Sequence, residues 1–157
     1  MWVIERNPYI QDDLFSDISR RTSLIQALFH RLDQIRLRAE GNPLTLDLIN
    51  RANNAVKLFE DWIPEQIDLR EKTRRCLSRF TRDDNIHFSG FSRVSHVTDA
   101  SDWRVEYPFV VLTPSTEQEC INIVKACIEI GLAIIPRGGG TGYTGGAVPL
   151  TKNCAVI

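Results

Sequence analysis

Neither sign of charge prevails in this chain, in which 19 Lys and Arg stand against 20 Asp and Glu for a formal charge of −1. So even a balance gives no general electrostatic reason to bind DNA, RNA or an anionic membrane. Cysteine is scarce. The four residues, Cys76, Cys120, Cys127 and Cys154, form no CxxC pair and have no His at ligand spacing, which argues against zinc, iron–sulfur and disulfide frameworks and leaves them as reduced core thiols. No metal site is expected. Long apolar runs are also missing, since none approaches the roughly 20 residues that span a bilayer, and no N-terminal stretch has the pattern of a secretion signal. The expectation is a cytoplasmic protein without a membrane span. What is present, 157 residues of which 43% are hydrophobic, suffices for one domain or for a small domain and part of another.

From Asp13 to Glu40 the apolar residues Leu14, Ile18, Ile25, Leu28, Leu32 and Ile35 recur with helical spacing, and Gly41 and Pro43 end the stripe. Leu48, Ala52, Ala55, Val56 and Phe59 predict a second helix, and Pro64 is placed to open a third that runs toward Phe80. Residues 1–80 therefore read as a helical hairpin or three-helix region. Arg70, Lys72, Arg74, Arg75 and Arg79 read as a solvated face, because acids are interspersed and no base-reading motif accompanies them.

The pattern changes near Thr81. Residues 81–106 are rich in Asp, Ser, Gly and Asn and carry no helical stripe, whereas Phe109–Thr113 is a short β-rich run closed by Pro114. Ser115 with Gln118, or Thr116 with Glu119 in the alternative register, can form a capping box for a helix to about Ile130, with Cys120, Ile121, Val124, Cys127 and Ile128 on one face. Gly131 supplies a left-handed stop, and Leu132–Pro136 is the next strand. Strand, helix and strand make a βαβ unit, so the loop that follows opens on a ligand crevice.

That loop is unusual. Arg137, Gly138, Gly139, Gly140, Thr141, Gly142, Tyr143, Thr144, Gly145 and Gly146 hold six glycines in ten residues. Each glycine loses more backbone entropy on ordering than another residue would, so the density needs a compensating use. Bare main chain can approach an oxygen-rich ligand and aim successive amides at a diphosphate, with Arg137 and the hydroxyls of Thr141 and Thr144 as further donors. Gly140, Gly142 and Gly145 also spell GxGxxG, but the dinucleotide fingerprint requires a helix to begin there, and Ala147-Val148-Pro149 leaves no room for one before the apolar run Cys154–Ile157. A Walker A loop fails as well, because Gly146 and Ala147 stand where its Lys and Ser or Thr belong. A strand–loop–strand phosphate site remains.

At these residues the sequence resembles the flavin-binding domain of the vanillyl-alcohol oxidase and p-cresol methylhydroxylase (PCMH-type) superfamily, in its D-lactate dehydrogenase and glycolate oxidase branch. The resemblance is carried by Thr98–Ser101, Pro108–Glu117 and Ile135–Pro149, and covers about residues 98–157. The helical region is similar to the upstream part of large bacterial flavin and iron–sulfur oxidoreductases of the same branch. The resemblance implies an α+β chain, with the helical region at 1–80 and the first βαβ-loop-β part of a PCMH-type FAD-binding domain at 81–157.

It further implies that Arg137 through Gly142 contact the FAD diphosphate, that Thr144, Gly145 and Gly146 approach the ribityl chain or flavin ring, with Tyr143 between, and that Pro136 fixes the loop's entry. No His lies between Gly138 and Ile157, which implies noncovalent FAD. His87 and His96 are expected to be surface or polar-core residues. Family members continue with a second flavin subdomain, a cap domain and, in this branch, a cysteine-rich iron–sulfur region, so the chain reads as an N-terminal fragment, inactive or poorly active alone. The implied chemistry is oxidation of a D-2-hydroxy acid such as D-lactate or glycolate to the 2-oxo acid, with an unassigned electron acceptor and no catalytic residue within this stretch. The alternative is a helical protein-interaction module with a remnant phosphate-binding loop.

Overall fold

The computed structural model describes residues 2–157. A single turn, α1 (Trp2–Glu5), leads to Asn7, whose side chain accepts from the amides of Tyr9 and Ile10 while Pro8, with no N–H to satisfy, opens α2 (Pro8–Ser16). The stripe predicted as one helix from Asp13 is then interrupted. Asp17 is extended and both ends α2 and caps α3 (Ile18–Arg38), accepting from the Arg20 amide. An Asp bonds nearby backbone more readily than it sits inside a helix, and the apolar spacing passes over the break because Leu14 and Ile25 meet in one core.

Gly41, with a left-handed φ of 79°, turns the chain, and Asn42 with Pro43 repeats the cap-and-proline device to start α4 (Pro43–Leu77). This helix runs 35 residues straight through Pro64, where a separate helix was predicted to begin. The proline removes the amide that would bond the Glu60 carbonyl, a defect of about 3 kcal/mol. Phe59 and Ile63 beside it are buried against Leu14 and Ile25. Each such burial contributes about 1.5–3 kcal/mol, enough to hold both halves in one helix. The helical region is therefore an α3–α4 hairpin, with Arg36 reaching Asn50 near its turn.

Nor is the α4 arginine cluster wholly solvated. The Arg70 guanidinium lies 4.6 Å from the Phe15 ring centre and 5.6 Å from that of Phe88, and pairs with Asp12 at 3.2 Å. A long apolar stem and a flat cation suit the gap between two rings. Leu77, at the end of α4, is fully buried among Ile86, Phe88, Phe109 and Val110, so this one helix serves the helical cluster and the sheet core alike.

The sheet has four strands in the order β1 (Ile86–His87), β2 (Val110–Leu112), β4 (Cys154–Val156), β3 (Ala133–Ile135). β1 runs antiparallel to β2, and the other pairs are parallel, with Val110 and Ile134 both opposite Ala155. The two inner strands are buried along their whole length, as apolar parallel strands should be. Between β1 and β2 lies α5 (Gly90–Ser95), capped by Ser89, within the segment predicted to lack a helical stripe.

The helix α6 (Glu117–Ile130) joins β2 to β3. Thr116 caps it, accepting from the Glu119 amide, so the Thr116–Glu119 register is the one formed. Glu119 turns back to accept from the Ser115 amide and the Thr81 hydroxyl, and the Ser115 amide is the main reason its carboxyl titrates below the ordinary range. The buried face is Ile123, Ala126 and Cys127, while Ile121 and Ile128, predicted inward, are exposed. Apolar residues surround this helix on several sides, and Ala126 lets the backbone come close to the sheet. Gly131 ends α6 at a φ of 84°.

Candidate diphosphate site

β3 and β4 are parallel neighbours, so the chain between them must travel back along the sheet. It does so without a helix. The connection, residues 136–153, begins at the carboxyl end of β3, where Arg137 N donates to Ile157 O at 2.7 Å, and its exit turn is closed by Val148 N donating to Gly145 O at 3.1 Å. Pro136 is exposed at the entry. Between these ties Gly138, Gly139, Thr141, Gly142, Tyr143, Thr144 and Gly146 are exposed, and Gly140 and Gly145 are half-buried. Among the described residues, no amide from Gly138 to Gly146 donates to a protein acceptor.

The glycines divide into two kinds. Gly140 and Gly145 have φ of 67° and 74°, a left-handed backbone that the fold itself requires. A Cβ on Gly140 would overlap the Arg137 guanidinium, and one on Gly145 would lie 3.2 Å from Cε3 of Trp103. Gly138 and Gly142 have no left-handed φ, and a Cβ on either would meet nothing within 4 Å. Nothing in the protein demands a missing side chain at these two positions. Their bareness suits an external group that approaches the main chain.

Arg137, expected on the phosphates, donates from Nη1 to the Thr98 carbonyl at 2.6 Å and lies against Gly140. Its charge is thus fixed at the loop's entry rather than left on a free arm. The hydroxyls of Thr141 and Thr144 belong to exposed residues, and Tyr143 is 83% exposed. The sequence had also placed Thr98–Ser101 within the resemblance but given those residues no role. Asp99 is 7% exposed, and its carboxylate accepts from both the amide and the hydroxyl of Ser101. The Ser101 hydroxyl is the chief reason its carboxyl titrates below the ordinary range; burial opposes this with less effect, and the Ala147 amide adds a weaker attraction. Oδ2 has no hydrogen-bond partner among the described residues. The D-x-S spacing is the local signal that could have marked this turn.

His87 bonds the Thr113 hydroxyl at 3.0 Å and His96 bonds the Ser92 carbonyl at 2.8 Å. Neither belongs to the loop. Among the described residues no helix is long and apolar enough to cross a membrane.

Residues 1–61 match a family described as protein of unknown function (DUF3683). A putative mitochondrial D-lactate dehydrogenase of Schizosaccharomyces pombe is 40% identical over 52 residues, covering 31% of this chain and 10% of that protein. A mitochondrial D-2-hydroxyglutarate dehydrogenase of Bos taurus is 46% identical over 41 residues, covering 26% of this chain and 8% of that protein. Among solved structures, an alkyldihydroxyacetonephosphate synthase superposes with a TM-score of 0.49 at 22% identity, over 55% of this chain and 20% of that one. The chain thus spans about a tenth of the length of the curated relatives it matches. Over that partial region the chain is similar to a D-lactate dehydrogenase and a D-2-hydroxyglutarate dehydrogenase.

Proposed function

We propose that residues 136–146 hold the diphosphate of noncovalently bound FAD, and that the full-length gene product is an FAD-dependent oxidoreductase acting on a D-2-hydroxy acid such as D-lactate or glycolate. The observation that carries this reading is the set of amides from Gly138 to Gly146 that bond no protein acceptor, together with the open space over Gly138 and Gly142. A diphosphate has the oxygens to engage several amides at once, and it needs the close approach that bare glycine permits. Arg137 sets one fixed positive charge at the mouth of this loop. The residues therefore fit the group.

When bound, FAD supplies the acceptor for a hydride from the hydroxyl-bearing carbon. This chain's part is to bind and orient. The loop's amides would hold the diphosphate with Thr141 as a further donor, Pro136 and Arg137 would fix the entry, and Thr144 would offer its hydroxyl toward the ribityl chain. No residue here is assigned to move the substrate's proton, and the electron acceptor is left open. A cytoplasmic location is part of the same proposal. The test is an absorbance spectrum of the purified full-length gene product before and after denaturation in acid. Flavin bands near roughly 370 and 450 nm that are released into the supernatant are expected, and a colourless protein that binds no added FAD would overturn the reading.

A further inference from the structure

Beyond the loop's own residues, the short segment 98–103 touches it at two separate points. At the entry, the Thr98 carbonyl holds the Arg137 guanidinium at 2.6 Å. At the exit, a Cβ built on Gly145 would stand 3.2 Å from Cε3 of Trp103 and 3.9 Å from the Ser101 hydroxyl. Between these points the chain is ordered by one carboxylate. Asp99 Oδ1 accepts from the amide and hydroxyl of Ser101, Ser101 Oγ accepts in turn from the Trp103 amide at 3.4 Å, and Asp102, at a φ of 60°, turns the chain so that the indole follows.

We propose that Asp99 is a positioning residue of the dinucleotide site, fixing the exit of the glycine loop through Ser101 and Trp103 so that the open amides hold one arrangement before a ligand arrives. The proposal rests on the diphosphate reading of the loop. A direct contact between Asp99 and the phosphates is disfavoured, because two anions repel and the carboxylate is buried and bonded to Ser101 rather than exposed among the free amides. Its effect runs through the residues it orders. Fixing a loop residue on binding costs about 1–2 kcal/mol of backbone entropy, so a loop already held in place retains affinity that a slack one would lose.

The experiment compares Asp99→Asn, Ser101→Ala, Trp103→Ala and the Asp99→Asn/Trp103→Ala pair in the full-length gene product. The first readout is amide hydrogen exchange at Ala147 and Val148 in flavin-free protein. Asp99→Asn and Ser101→Ala should each accelerate it about tenfold, the size of one charge-assisted hydrogen bond. The second is FAD affinity by titration of the apoprotein. Asp99→Asn and Trp103→Ala should each weaken binding about tenfold, and the double variant should be no worse than the weaker single. Unchanged exchange at Ala147 and Val148 in both Asp99→Asn and Ser101→Ala would overturn the proposal, as would strictly additive losses in the double variant. Accelerated exchange in a protein whose wild type binds no FAD would uphold the positioning role and remove the flavin reading instead. Ser101→Ala leaves the carboxylate in place, so it keeps the test open if Asp99→Asn does not fold.

Discussion

Arg137 lies against Gly140 so closely that a Cβ there would displace its guanidinium, and the same guanidinium is tied to the Thr98 carbonyl at 2.6 Å. Glycine at this position thus has reasons internal to the fold, a left-handed φ of 67° and the seat of one arginine. Two positions on, at Gly142, the protein imposes no such demand.

This contrast separates folding from binding. Gly140→Ala should destabilise the protein by about 2–4 kcal/mol, the sum of a left-handed alanine and the loss of a charge-assisted hydrogen bond once Arg137 is displaced. Gly142→Ala should stay within about 0.5 kcal/mol of wild type, since it meets nothing. Yet Gly142→Val should strip flavin from the full-length protein by blocking approach to the main chain. Urea unfolding gives the first pair of values, and flavin content after gel filtration gives the last. Full flavin occupancy in Gly142→Val would count against the diphosphate reading.

Much of the C-terminal part was legible because its signals are local. A β-rich run, a Thr116 cap, Gly131 and a glycine loop each act within a few residues of themselves and formed where the sequence put them, although Glu119 bonds the Ser115 amide rather than closing a full box on Thr116. The absence of a helix after Gly142 was legible for the same reason, Pro149 and the apolar run leaving no space. What escaped were decisions made by distant partners. Pro64 was read as a boundary, but Leu14 and Ile25, far away in sequence, bury Phe59 and Ile63 on the same helix. The face of α6 was misjudged because Ile121 and Ile128 are as apolar as Ile123, and only the sheet decides among them. Trp103 against Gly145 is likewise a tertiary contact with no signature in spacing.

Pro64 offers a clean test of that tertiary override. Its ring is exposed, so Pro64→Ala should remove little packing while restoring an amide for the Glu60 carbonyl. An interior helical proline is about 3 kcal/mol worse than alanine, and with partial relaxation already present a gain of about 1–3 kcal/mol is expected. Chemical denaturation of the two proteins decides it. A loss of stability would mean that the proline itself is needed for α3 and α4 to pack.

Arg93 joins the helical region to the segment that enters β2. It is 7% exposed, donates to the Pro108 carbonyl at 2.6 Å and to Gln11 Oε1 at 2.7 Å, and burial brings its pKa down to about 10. It therefore remains charged at neutral pH. Arg93→Met keeps the bulk but leaves both acceptors without a donor, and should cost about 2–4 kcal/mol. The change should also raise hydrogen exchange in α2 more than in α6, since Gln11 lies on α2. Equal changes in both helices would show that Arg93 supports the fold generally rather than this junction.

Cys127 and Cys154 both tie stability to alkaline pH, because burial raises each thiol. Cys127 is fully buried beneath α6, and burial, reinforced by nearby Cys76, pushes its thiol up to about 11 from an ordinary value of 9.0. The folded chain thus holds the proton more tightly than the unfolded one. Its contribution to stability is fully present below pH 9 and is lost as pH rises toward and through 11, at about 1.4 kcal/mol per pH unit between those values. Cys127→Ala should reduce that slope, leaving the part due to Cys154, whose thiol burial also pushes up, while lowering stability at neutral pH through the cavity it leaves. Unfolding curves taken at intervals from pH 8 to about pH 11 test both. At pH 8 a thiol reagent should label half-buried Cys120 readily and Cys127 only at the rate of unfolding, because a protonated, buried sulfur is neither nucleophilic nor reachable. Rapid labelling of Cys127 in folded protein would show that α6 opens locally, and the alkaline slope would then have to be assigned elsewhere.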